Sequence, residues 1–318
     1  MRLDTELAEF ATDRDTELTI GVFDGVHRGH RHLIDQVVKE AAETDRLSGV
    51  ITLRNHPSSV LDPNFTPNYL TTVDERLRLL GELGVDLVIP ITFDRELSLL
   101  SARDFVGRLR KHLRMAGLLV GSDFTLGHKR EGDLKMLHRL GGEMGFSLQV
   151  ASVLTDGDRT VKSTTIRQAV AQGDVSRASK MLGRTFSLPG VVVKGVGRGK
   201  TLGFPTANLE PPAGTAIPMD GIYATWASID GVAYMAATSI GRRPTFDEDN
   251  RTVEAFILDF DGDLYGREVR LEFVRRLRDE LKFEAVEDLQ AQVDIDVDDT
   301  RTILGALHMG CSEAKTHG

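Results

Sequence analysis

Cysteine is almost absent from this chain, since Cys311 is the only one in 318 residues. A single thiol excludes a disulfide framework and any metal site built from several cysteines. Long apolar runs are absent as well, and none approaches the roughly 20 residues of a membrane-spanning helix. The N-terminal stretch 1–18 is rich in acidic residues and lacks the charged-then-apolar order of a secretory signal peptide. These absences lead us to expect a protein of the reducing cytoplasm, with no membrane partner.

Positive charge is in the minority, because 39 Lys and Arg residues face 48 Asp and Glu residues and the net charge is −9. An acidic chain is poorly suited to wrapping nucleic acid, although short basic segments can still hold phosphate groups. The hydrophobic share of 41% and the charged share of 27% are typical of globular domains. At roughly 100–200 residues per domain, the length suits two domains. We expect no nucleic-acid partner, and a monomer or a weak homo-oligomer.

The first half alternates short apolar runs with longer helical patterns. The strand-like runs are Leu18–Phe23, Gly49–Leu53, Asp86–Ile91, Gly117–Val120 and Phe146–Val153. The helical patterns between them are Arg31–Thr44, Val73–Leu83, Ala102–Arg114 and Leu134–Met144. Strands that alternate with helices predict a parallel sheet covered on both faces. One further helical stretch, Gln168–Leu182, closes this half.

The second half has the pattern of an antiparallel β protein. Its strand-like runs are Gly190–Lys194, Gly221–Ile229, Val232–Ser239, Val253–Phe260 and Glu268–Val274. Asp-Gly turn signals between them indicate hairpins, which predicts a barrel or a sandwich. Only Val286–Leu307 has a helical pattern, and its acidic run Asp294–Asp299 is interpreted as a solvated helix edge or loop. We place the boundary within Met181–Pro189 and assign the domains to residues 1–184 and 185–318.

The segment TIGVFDGVHRGH, Thr19–His30, lies in the predicted turn between the first strand and the first helix. In an open parallel sheet this turn binds nucleotides, because the helix N-terminus offers free amide donors and a positive dipole end. His27 and His30 can hydrogen-bond the phosphates of a nucleoside triphosphate and stabilise charge as pyrophosphate departs. An isolated HxxH pattern is more often two surface histidines. The preceding Phe-Asp-Gly and the intervening Gly29 favour the phosphate site, with Gly25 relieving the turn and Gly29 permitting close backbone approach.

Two later segments add to this site. Lys162–Arg167, KSTTIR, stands just before a helical stretch, so Ser163, Thr164 and the first amides can form an anion cradle that Arg167 completes. Taken alone, this segment is more simply a Ser/Thr helix cap. Gly121–Asp133 is a glycine-interrupted loop after a short strand, on the expected ligand side of the sheet.

Together these three segments resemble the adenylyltransferase half of the bacterial bifunctional riboflavin kinase/FAD synthetases, a branch of the HxGH nucleotidyltransferases. The resemblance implies a Rossmann-like α/β domain in which His27 and His30 contact ATP phosphates. It also implies that Asp123 lies at the flavin and nucleotide site and that Ser163, Thr164 and Arg167 form the second phosphate cradle. The full set of residues expected to bind ATP here is Gly21, Phe23, Asp24, Gly25, Gly29, Ser163 and Thr164.

The segment KGVGRGKTLGFPTAN, Lys194–Asn208, has a Gly-Lys-Thr that suggests a P-loop. A P-loop would need glycine at position 194, where Lys194 stands, so that interpretation fails. A glycine-rich barrel loop can still wrap phosphates through its amides. The residues expected to bind ATP in this half are Lys194, Gly195, Gly197, Gly199, Lys200 and Pro205.

Thr206 and Asn208 follow in the order GFPTAN. A threonine hydroxyl and an asparagine carbonyl are hard oxygen ligands that suit Mg²⁺ bound to a triphosphate. GFPTAN extends the resemblance to the riboflavin kinase half of the same family, as do SIGRRPTF and LRDELKF later in the chain. The resemblance implies an antiparallel β-barrel with a terminal helix, and Thr206 and Asn208 as the metal site.

Glu254 shares a predicted strand face with Phe256, Leu258 and Phe260. A carboxylate on an apolar face is unfavourable unless it is partnered or functional. From the residues alone, a structural role at the barrel rim and a catalytic role are equally open. The family resemblance implies that Glu254 is the base for the riboflavin 5′-hydroxyl. The expected protein therefore uses ATP and Mg²⁺ to convert riboflavin to FMN, and ATP to convert FMN to FAD.

Three alternatives remain. Lys162 and Asn55 stand where many family members have serine and proline, so the chain could combine a working kinase with a weakened adenylyltransferase. A flavin-sensing binding protein on the same scaffold would need neither a base nor a metal site. An HxGH enzyme for another cofactor, such as pantetheine phosphate, would leave GFPTAN unexplained.

Overall fold

The chain folds into two compact units, Met1–Ser163 and Thr164–Gly318. A computed structural model describes residues 1–152, 154–156, 159–195, 203–242 and 251–313. Residues 164–184, which the sequence assigns to the first domain, make most of their contacts with the second unit. The reason is that a helix over Val175–Leu182 packs against barrel strands of that unit. The boundary expected after residue 184 stays a prediction about where the two functions divide.

The first unit is a five-stranded parallel sheet with helices on both faces, as predicted. Its strands are β1 (Thr16–Gly21), β2 (Leu47–Leu53), β3 (Leu87–Ile91), β4 (Met115–Val120) and β5 (Ser147–Val150), in the order β3-β2-β1-β4-β5. Its helices are α1 (Arg2–Ala8), α2 (Arg28–Glu43), α3 (Ser58–Leu61), α4 (Val73–Gly81), α5 (Arg95–Ser98), α6 (Ala102–Leu113) and α7 (Leu134–Met144). A short hairpin, β6 (Thr155–Asp156) and β7 (Arg159–Thr160), completes it.

Alternation along the strands builds two apolar layers on this sheet. Leu18 and Ile20 of β1 face α1, α6 and α7, whereas Val50 of β2 faces α2 and α4. Each layer is continuous with the helix faces that cover it, so both faces of the sheet are buried. Because all five strands are parallel, their carboxyl ends lie at the same edge of the sheet.

The second unit is a closed antiparallel barrel, which decides between the predicted barrel and sandwich. Its strands are β8 (Phe186–Val193), β9 (Thr206–Glu210), β10 (Gly221–Ile229), β11 (Val232–Arg242), β12 (Arg251–Ile257) and β13 (Glu268–Arg278), in the order β10-β11-β12-β9-β8-β13. Its helices are α8 (Ser163–Ala171), which begins at the last residue of the first unit, α9 (Val175–Leu182) and α10 (Val286–Glu313). Among the described residues, no helix combines the length and the apolar character needed to cross a membrane.

Two elements end earlier than the sequence predicts. The helix expected over Gln168–Leu182 is divided into α8 and α9, because Gly173 between them has a φ of 75°. Strand β12 stops at Ile257, and Asp259 then turns the chain with a φ of 57°, so Leu258 and Phe260 do not continue the strand face of Glu254. Both breaks use left-handed backbone, which neither a helix nor a strand accommodates.

A buried ion pair lies at the amino end of the first sheet. Glu17 of β1 is fully buried, and Arg46 donates to its Oε2 at 2.7 Å. Only glycine fits at position 117 of the neighbouring strand, because a Cβ there would lie 1.7 Å from the same oxygen. The Glu17 carboxylate has no access to water, so the positive charge of Arg46 is needed to stabilise its negative charge.

Replacing Arg46 with methionine is expected to lower the free energy of unfolding of the first unit by about 3 kcal/mol, because it strands a buried charge. The double variant Arg46→Met with Glu17→Gln is expected to recover most of this loss. Hydrogen exchange of the β1 amides measures the first unit, while fluorescence of Trp226, the only tryptophan, reports on the barrel and should not change. Wild-type protection of β1 in the single variant would contradict the expectation.

The same pair predicts a pH dependence of stability. Burial, only partly opposed by Arg46, raises the pKa of Glu17 above its usual 4.5. The folded state therefore binds the proton of the Glu17 carboxyl group more tightly than the unfolded state does. The resulting contribution to the free energy of unfolding is fully present below pH 4.5 and is lost as the pH rises through the pKa of the folded state. In Glu17→Gln this decline above pH 4.5 should be absent from urea unfolding curves of the first unit.

Candidate active sites

The HxGH turn lies at the point where the strand order of the first sheet reverses. Strand β1 runs between β2 and β4, and its turn to α2 carries His27 and His30 at the carboxyl edge of the sheet. The loop after β4 carries Asp123 at the same edge. Crevices at such switch points bind nucleotides in open α/β sheets. The two segments that the sequence assigns to nucleotide binding are thus neighbours in the fold.

The two histidines form one unit at the start of α2. His27 caps the helix, because its Nδ1 accepts from the backbone N–H of His30 at 3.2 Å. The rings stack with centroids 3.6 Å apart and planes inclined by 17°. An Nδ1 that accepts a hydrogen bond leaves the proton of the neutral imidazole on Nε2. The capping bond therefore makes Nε2 of His27 a donor, which is the form that can bind a phosphate oxygen.

The turn before these histidines is strained. Phe23 and Val26 have φ values of 52° and 37°, and Gly25 between them has 83°. For residues other than glycine this conformation is unfavourable and persists only where surrounding contacts enforce it. The Phe23 ring is buried and packs edge-on against His30, with centroids 5.1 Å apart. It also covers Gly21, where a Cβ would lie 3.1 Å from the ring.

Asp24 is bound within the protein. Its side chain is 2% exposed, and its carboxylate accepts from the backbone N–H groups of Leu70 and Thr71 at 3.0–3.1 Å. The Thr71 hydroxyl in turn accepts from the N–H of Gly25 at 3.1 Å. Asp24 thereby ties the turn to the segment that precedes α4. The expectation that Asp24 also contacts ATP stays a prediction.

Ser163, the last residue of the first unit, is attached to the same turn. The Ser163 hydroxyl donates to the backbone carbonyl of Asp24 at 2.9 Å, and Lys162 forms an exposed ion pair with Asp123 at 3.4 Å. At Gly29 a Cβ would lie 3.1 Å from the carbonyl of Val161, so the glycine permits the approach of this segment. Thr164 and Arg167 follow on α8, and their contacts with ATP stay predictions.

The register of the barrel assembles the second site. Glu254 of β12 pairs with Asn208 of β9 and with Ser239 of β11, and paired residues share a face. Thr206, the first residue of β9, lies two residues before Asn208 on the same face, with its Oγ1 3.4 Å from Oε2 of Glu254. Three hard oxygen-bearing side chains predicted from the sequence, on Thr206, Asn208 and Glu254, therefore meet on one face.

A cavity of about 420 Å³ opens on this face. Its walls come from the strands, from the segment after β13 and from α10. The aromatic lining residues are Phe204, Phe256 and Phe283, and the polar ones are Thr206, Ser239, Glu254, Arg278, Glu280 and Asp296. Such a mixture suits a ligand with a flat ring and a hydroxylated chain.

A second carboxyl group, Glu280, shares this cavity with Glu254. Burial, followed by the charge of Asp220 and more weakly that of Glu254, raises the pKa of Glu280. Gly241 leaves room for it, since a Cβ there would lie 2.0 Å from its Oε1. Three carboxyl groups therefore line the cavity, on Glu254, Glu280 and Asp296, and Glu254 is the one that lies beside Thr206 and opposite Asn208.

Asp296 corrects the interpretation of the acidic run in α10. The sequence suggested a solvated edge, yet Asp296 is 4% exposed and receives both Nε and Nη2 of Arg278, at 2.8 and 2.6 Å. The run lies on a helix whose Leu289 and Val293 line the cavity, two turns and one turn before Asp296 respectively. The bidentate pair therefore attaches the helix to the end of β13 as a wall of the site.

The loop before β9 is described in part. Lys194 and Gly195 follow β8 directly, and a Cβ at Gly195 would lie 2.2 Å from Nδ2 of Asn208. Pro205 is exposed and precedes Thr206. The other residues expected to bind ATP in this loop, Gly197, Gly199 and Lys200, lie outside the described residues.

Comparison with known proteins supports one transferase activity in each half of the chain. The family model for FAD synthetase matches residues 9–165, and the model for riboflavin kinase matches residues 182–304. The bifunctional riboflavin kinase/FMN adenylyltransferase of Escherichia coli strain K12 is 37% identical over 283 residues, which cover 87% of this chain and 88% of that protein. The chain belongs to the bifunctional riboflavin kinase/FMN adenylyltransferase family. This membership confirms the expected pair of transferase activities, with the adenylyltransferase first along the chain and the kinase second.

Other members of the family span nearly the whole chain. The relative of the same name from Listeria monocytogenes is 33% identical over 298 residues, covering 93% of this chain and 95% of that protein. A crystal structure from Streptococcus pneumoniae is 30% identical with a TM-score of 0.84, and covers 92% of this chain and 96% of that one. That structure is described as a macrolide-efflux protein, whereas both family models refer to flavin transferases.

Several residues around the two sites were not predicted to be site residues. Ser239 lies in SIGRRPTF, Arg278 and Glu280 lie in LRDELKF, and Asp296 lies in the acidic run, but no site role was predicted for any of them, and Arg76 lies in no motif. A signal was available for Arg76, because it precedes Leu79 and Leu80 by three and four residues and so lies on the buried face of α4. Asp296 lies on the same helix face as Leu289 and Val293, by the same spacing.

Asn55, which replaces the proline usual in this family, has a structural role. Its amide donates to the carbonyl of Phe93 at 2.9 Å and accepts from the N–H of Phe93 at 3.0 Å. The side chain thereby joins the segments that follow β2 and β3. The substitution is accommodated by the backbone around it.

Proposed function

We propose that this chain makes FAD from riboflavin in two consecutive transfers, one in each unit. In the second unit, the riboflavin 5′-hydroxyl attacks the γ-phosphate of ATP, giving FMN and ADP. In the first unit, the FMN phosphate attacks the α-phosphate of a second ATP and pyrophosphate leaves. The observation that best supports this assignment is Glu254, which lies opposite Asn208 and beside Thr206 in a cavity with aromatic walls.

Glu254 is the proposed general base of the kinase. Its carboxylate takes the proton of the 5′-hydroxyl as the new O–P bond forms and the bond between the γ-phosphorus and ADP breaks. Phe204, Phe256 and Phe283 supply apolar surface for the isoalloxazine ring. The ribityl chain then extends toward the polar wall, where Glu254 and Ser239 lie.

Thr206 and Asn208 are the proposed Mg²⁺ ligands. A hydroxyl and an amide next to a carboxylate form the hard oxygen set that Mg²⁺ prefers, and all three groups share one face of the barrel. Bound Mg²⁺ would neutralise charge on the phosphate oxygens of ATP. Lys194, the amide of Gly195 and Pro205 are proposed to contact the same phosphates.

Gly195→Ala tests this arrangement. The new Cβ would lie 2.2 Å from Nδ2 of Asn208, so the asparagine side chain must move away from its place. We expect kcat/KM for riboflavin phosphorylation to fall about 10-fold or more, since small displacements of positioning groups have effects of this size, and the Mg²⁺ concentration for half-maximal rate to rise. Gly305→Ala is the control, because no atom lies within 4 Å of a Cβ there. An unchanged Mg²⁺ dependence would count against Asn208 as a ligand.

The adenylyl transfer needs no protein base, because the attacking FMN phosphate is already anionic. The site has only to align the two phosphates and offset their repulsion. Nε2 of His27, a donor in the neutral ring, and the stacked His30 are the proposed contacts with the ATP phosphates. Ser163, Thr164 and Arg167 at the start of α8 are proposed to form the second cradle, and Asp123 to lie at the flavin and nucleotide site.

Product analysis tests both steps in one preparation. Purified chain with ATP and Mg²⁺ is supplied either with riboflavin or with FMN, and FMN, FAD, ADP and pyrophosphate are measured over time. We expect one ADP per FMN formed and one pyrophosphate per FAD formed. If FMN accumulates and no pyrophosphate is released, the result would support the alternative suggested by Lys162, in which the adenylyltransferase is weakened. Failure to phosphorylate riboflavin would reject the kinase assignment.

The cellular setting is also a proposal. The single cysteine supports a reducing cytoplasm, and the net charge of −9 supports small-molecule substrates rather than nucleic acid. We propose a monomer or weak homo-oligomer, which light scattering of the purified chain measures directly.

A further inference from the structure

We infer that Arg76 is a positioning residue for adenylyl transfer. Its guanidinium binds backbone carbonyls at the ends of β1 and β2 and thereby holds the turn that carries His27 and His30. The inference rests on the proposed phosphate role of the two histidines. Arg76 lies on α4 and belongs to none of the motifs discussed above. Its action would be exerted through the backbone of the HxGH turn.

Arg76 is a fully buried arginine whose guanidinium binds backbone carbonyls. The residue is 1% exposed. Nη1 donates to the carbonyls of Val22 and Leu53 at 2.6 and 2.8 Å, and Nη2 to that of Arg54 at 3.3 Å. Burial lowers the pKa of this guanidinium, and the charge of Asp24 opposes the shift. Burying a cation costs solvation free energy, so a buried arginine that binds backbone carbonyls here is expected to have a positioning role.

The carbonyls that Arg76 binds lie at the ends of two neighbouring strands. β1 ends at Gly21 and β2 at Leu53, so Val22 and Arg54 are the first residues after them. A buried carbonyl without a donor is destabilising, and one planar guanidinium can serve both strand ends at once. Thr52 adds a second donor to Val22 at 3.1 Å. The strand ends beneath the HxGH turn are thus joined through one side chain.

The strained turn begins immediately after the carbonyl that Arg76 binds. Phe23, the next residue, has a φ of 52°, and its ring packs against His30. A conformation of this kind is maintained only by surrounding contacts. Releasing the carbonyl of Val22 would let Phe23 relax toward ordinary backbone, and the His30 ring would lose its packing partner.

The segment before Arg76 provides a second attachment. Leu70 and Thr71 donate to the carboxylate of Asp24, and α4 begins two residues later with Thr72 as its cap. Arg76 follows within the first turn of this helix. The start of α4 and the residues before it therefore contact the HxGH turn through the Asp24 carboxylate, through the N–H of Gly25 and through the carbonyl of Val22. Of these contacts, the one to Val22 is made by Arg76 and lies directly before the strained Phe23.

Arg76→Lys and Arg76→Ala test the inference in the full chain. Lysine keeps the charge but lacks the planar fork that reaches both strand ends. We expect kcat for FAD formation from FMN to fall roughly 10-fold in Arg76→Lys and roughly 100-fold in Arg76→Ala, because displacements near 1 Å have effects of this size. KM for FMN should stay near the wild-type value, since the substrate contacts themselves are retained. Riboflavin phosphorylation, carried out by the other unit, should be unchanged.

Chemical rescue and a control variant at a neighbouring residue distinguish a positioning role from a general loss of structure. Guanidinium chloride below denaturing concentrations should restore part of kcat in Arg76→Ala, whereas NaCl at equal ionic strength should not. Arg78→Met is the matched control, because Arg78 lies on the same helix in exposed ion pairs with Glu75 and Glu82. A wild-type kcat in Arg76→Lys would overturn the inference, and this variant remains decisive if Arg76→Ala does not fold.

A double variant distinguishes this inference from the proposed function on which it rests. If Arg76 acts through the histidine turn, adding Arg76→Lys to His30→Ala should leave the residual rate of FAD formation unchanged. An equal fold-loss in that background would overturn the role of Arg76 and leave the role of His30 intact. Unchanged FAD formation in His30→Ala alone would reject the phosphate role of His30 instead.

Discussion

Replacing Glu254 with alanine is expected to abolish FMN formation from riboflavin and to leave FAD formation from supplied FMN intact. A positioned general base contributes about 10²–10⁴-fold to a rate, so the loss should be of this order. Glu254 lies on the barrel of the second unit, beside Thr206 and opposite Asn208. Initial rates of both steps in the same preparation measure the expected separation.

Two further variants make the result specific. Glu254→Gln keeps the size of the side chain and removes only its basicity, so it should lose as much kinase activity as alanine does. Glu268→Gln on β13 is the control, because Glu268 is an exposed barrel glutamate that does not line the cavity. A parallel loss of both activities in Glu254→Ala would contradict the assignment of separate sites.

Replacing His30 with alanine is expected to have the reverse effect, with FAD formation lost and riboflavin phosphorylation retained. Removing one group that stabilises developing charge lowers a rate about 10²–10³-fold. His30 is a cleaner target than His27. The cap of α2 uses the side chain of His27 and only the backbone N–H of His30, so alanine at position 30 keeps the cap. Pyrophosphate release with FMN and ATP measures the loss.

His32→Ala is the matched control for this variant. His32 lies on the same helix, two residues further on, and its Nε2 is bound to Ser152 at 2.9 Å. It should retain adenylyl transfer. An unchanged FAD yield in His30→Ala would remove the phosphate role that we assign to this residue.

The strands of the first unit were predictable because each is a short apolar run between two helical patterns. The alternation alone indicates a parallel sheet, and the turn after β1 then marks the nucleotide site. The break between α8 and α9 was missed because one glycine among good helix formers is weak evidence in a sequence. Its φ of 75° becomes visible only in the folded chain. Strand β9 was missed for a related reason, since its five residues, TANLE, begin within the PTAN motif and have little apolar pattern.

The burial of charged side chains was the least predictable feature. Asp296 lies among five other residues of an acidic run, and its sequence neighbours give no sign that Arg278 is its partner. Arg76 and Glu17 are similar in this respect, because the residues directly next to each of them in the sequence do not indicate that the charged side chain is buried. Whether such a group is buried depends on residues far away in the chain that supply its hydrogen bonds. The local signals that were available are the helical spacing of Arg76 with Leu79 and Leu80 and that of Asp296 with Leu289 and Val293.

The sequence by itself determined the two kinds of chemistry. An HxGH turn, a GFPTAN segment and a glutamate on an apolar strand were recognisable because each motif is formed by residues close together in the chain. Only the tertiary structure decided which of these groups meet. The pairing of β9 with β12 brings Asn208 opposite Glu254, and Arg76 reaches the carbonyl of Val22 from another helix. Contacts of this kind arise from the packing of distant segments around a shared core, which no local pattern encodes.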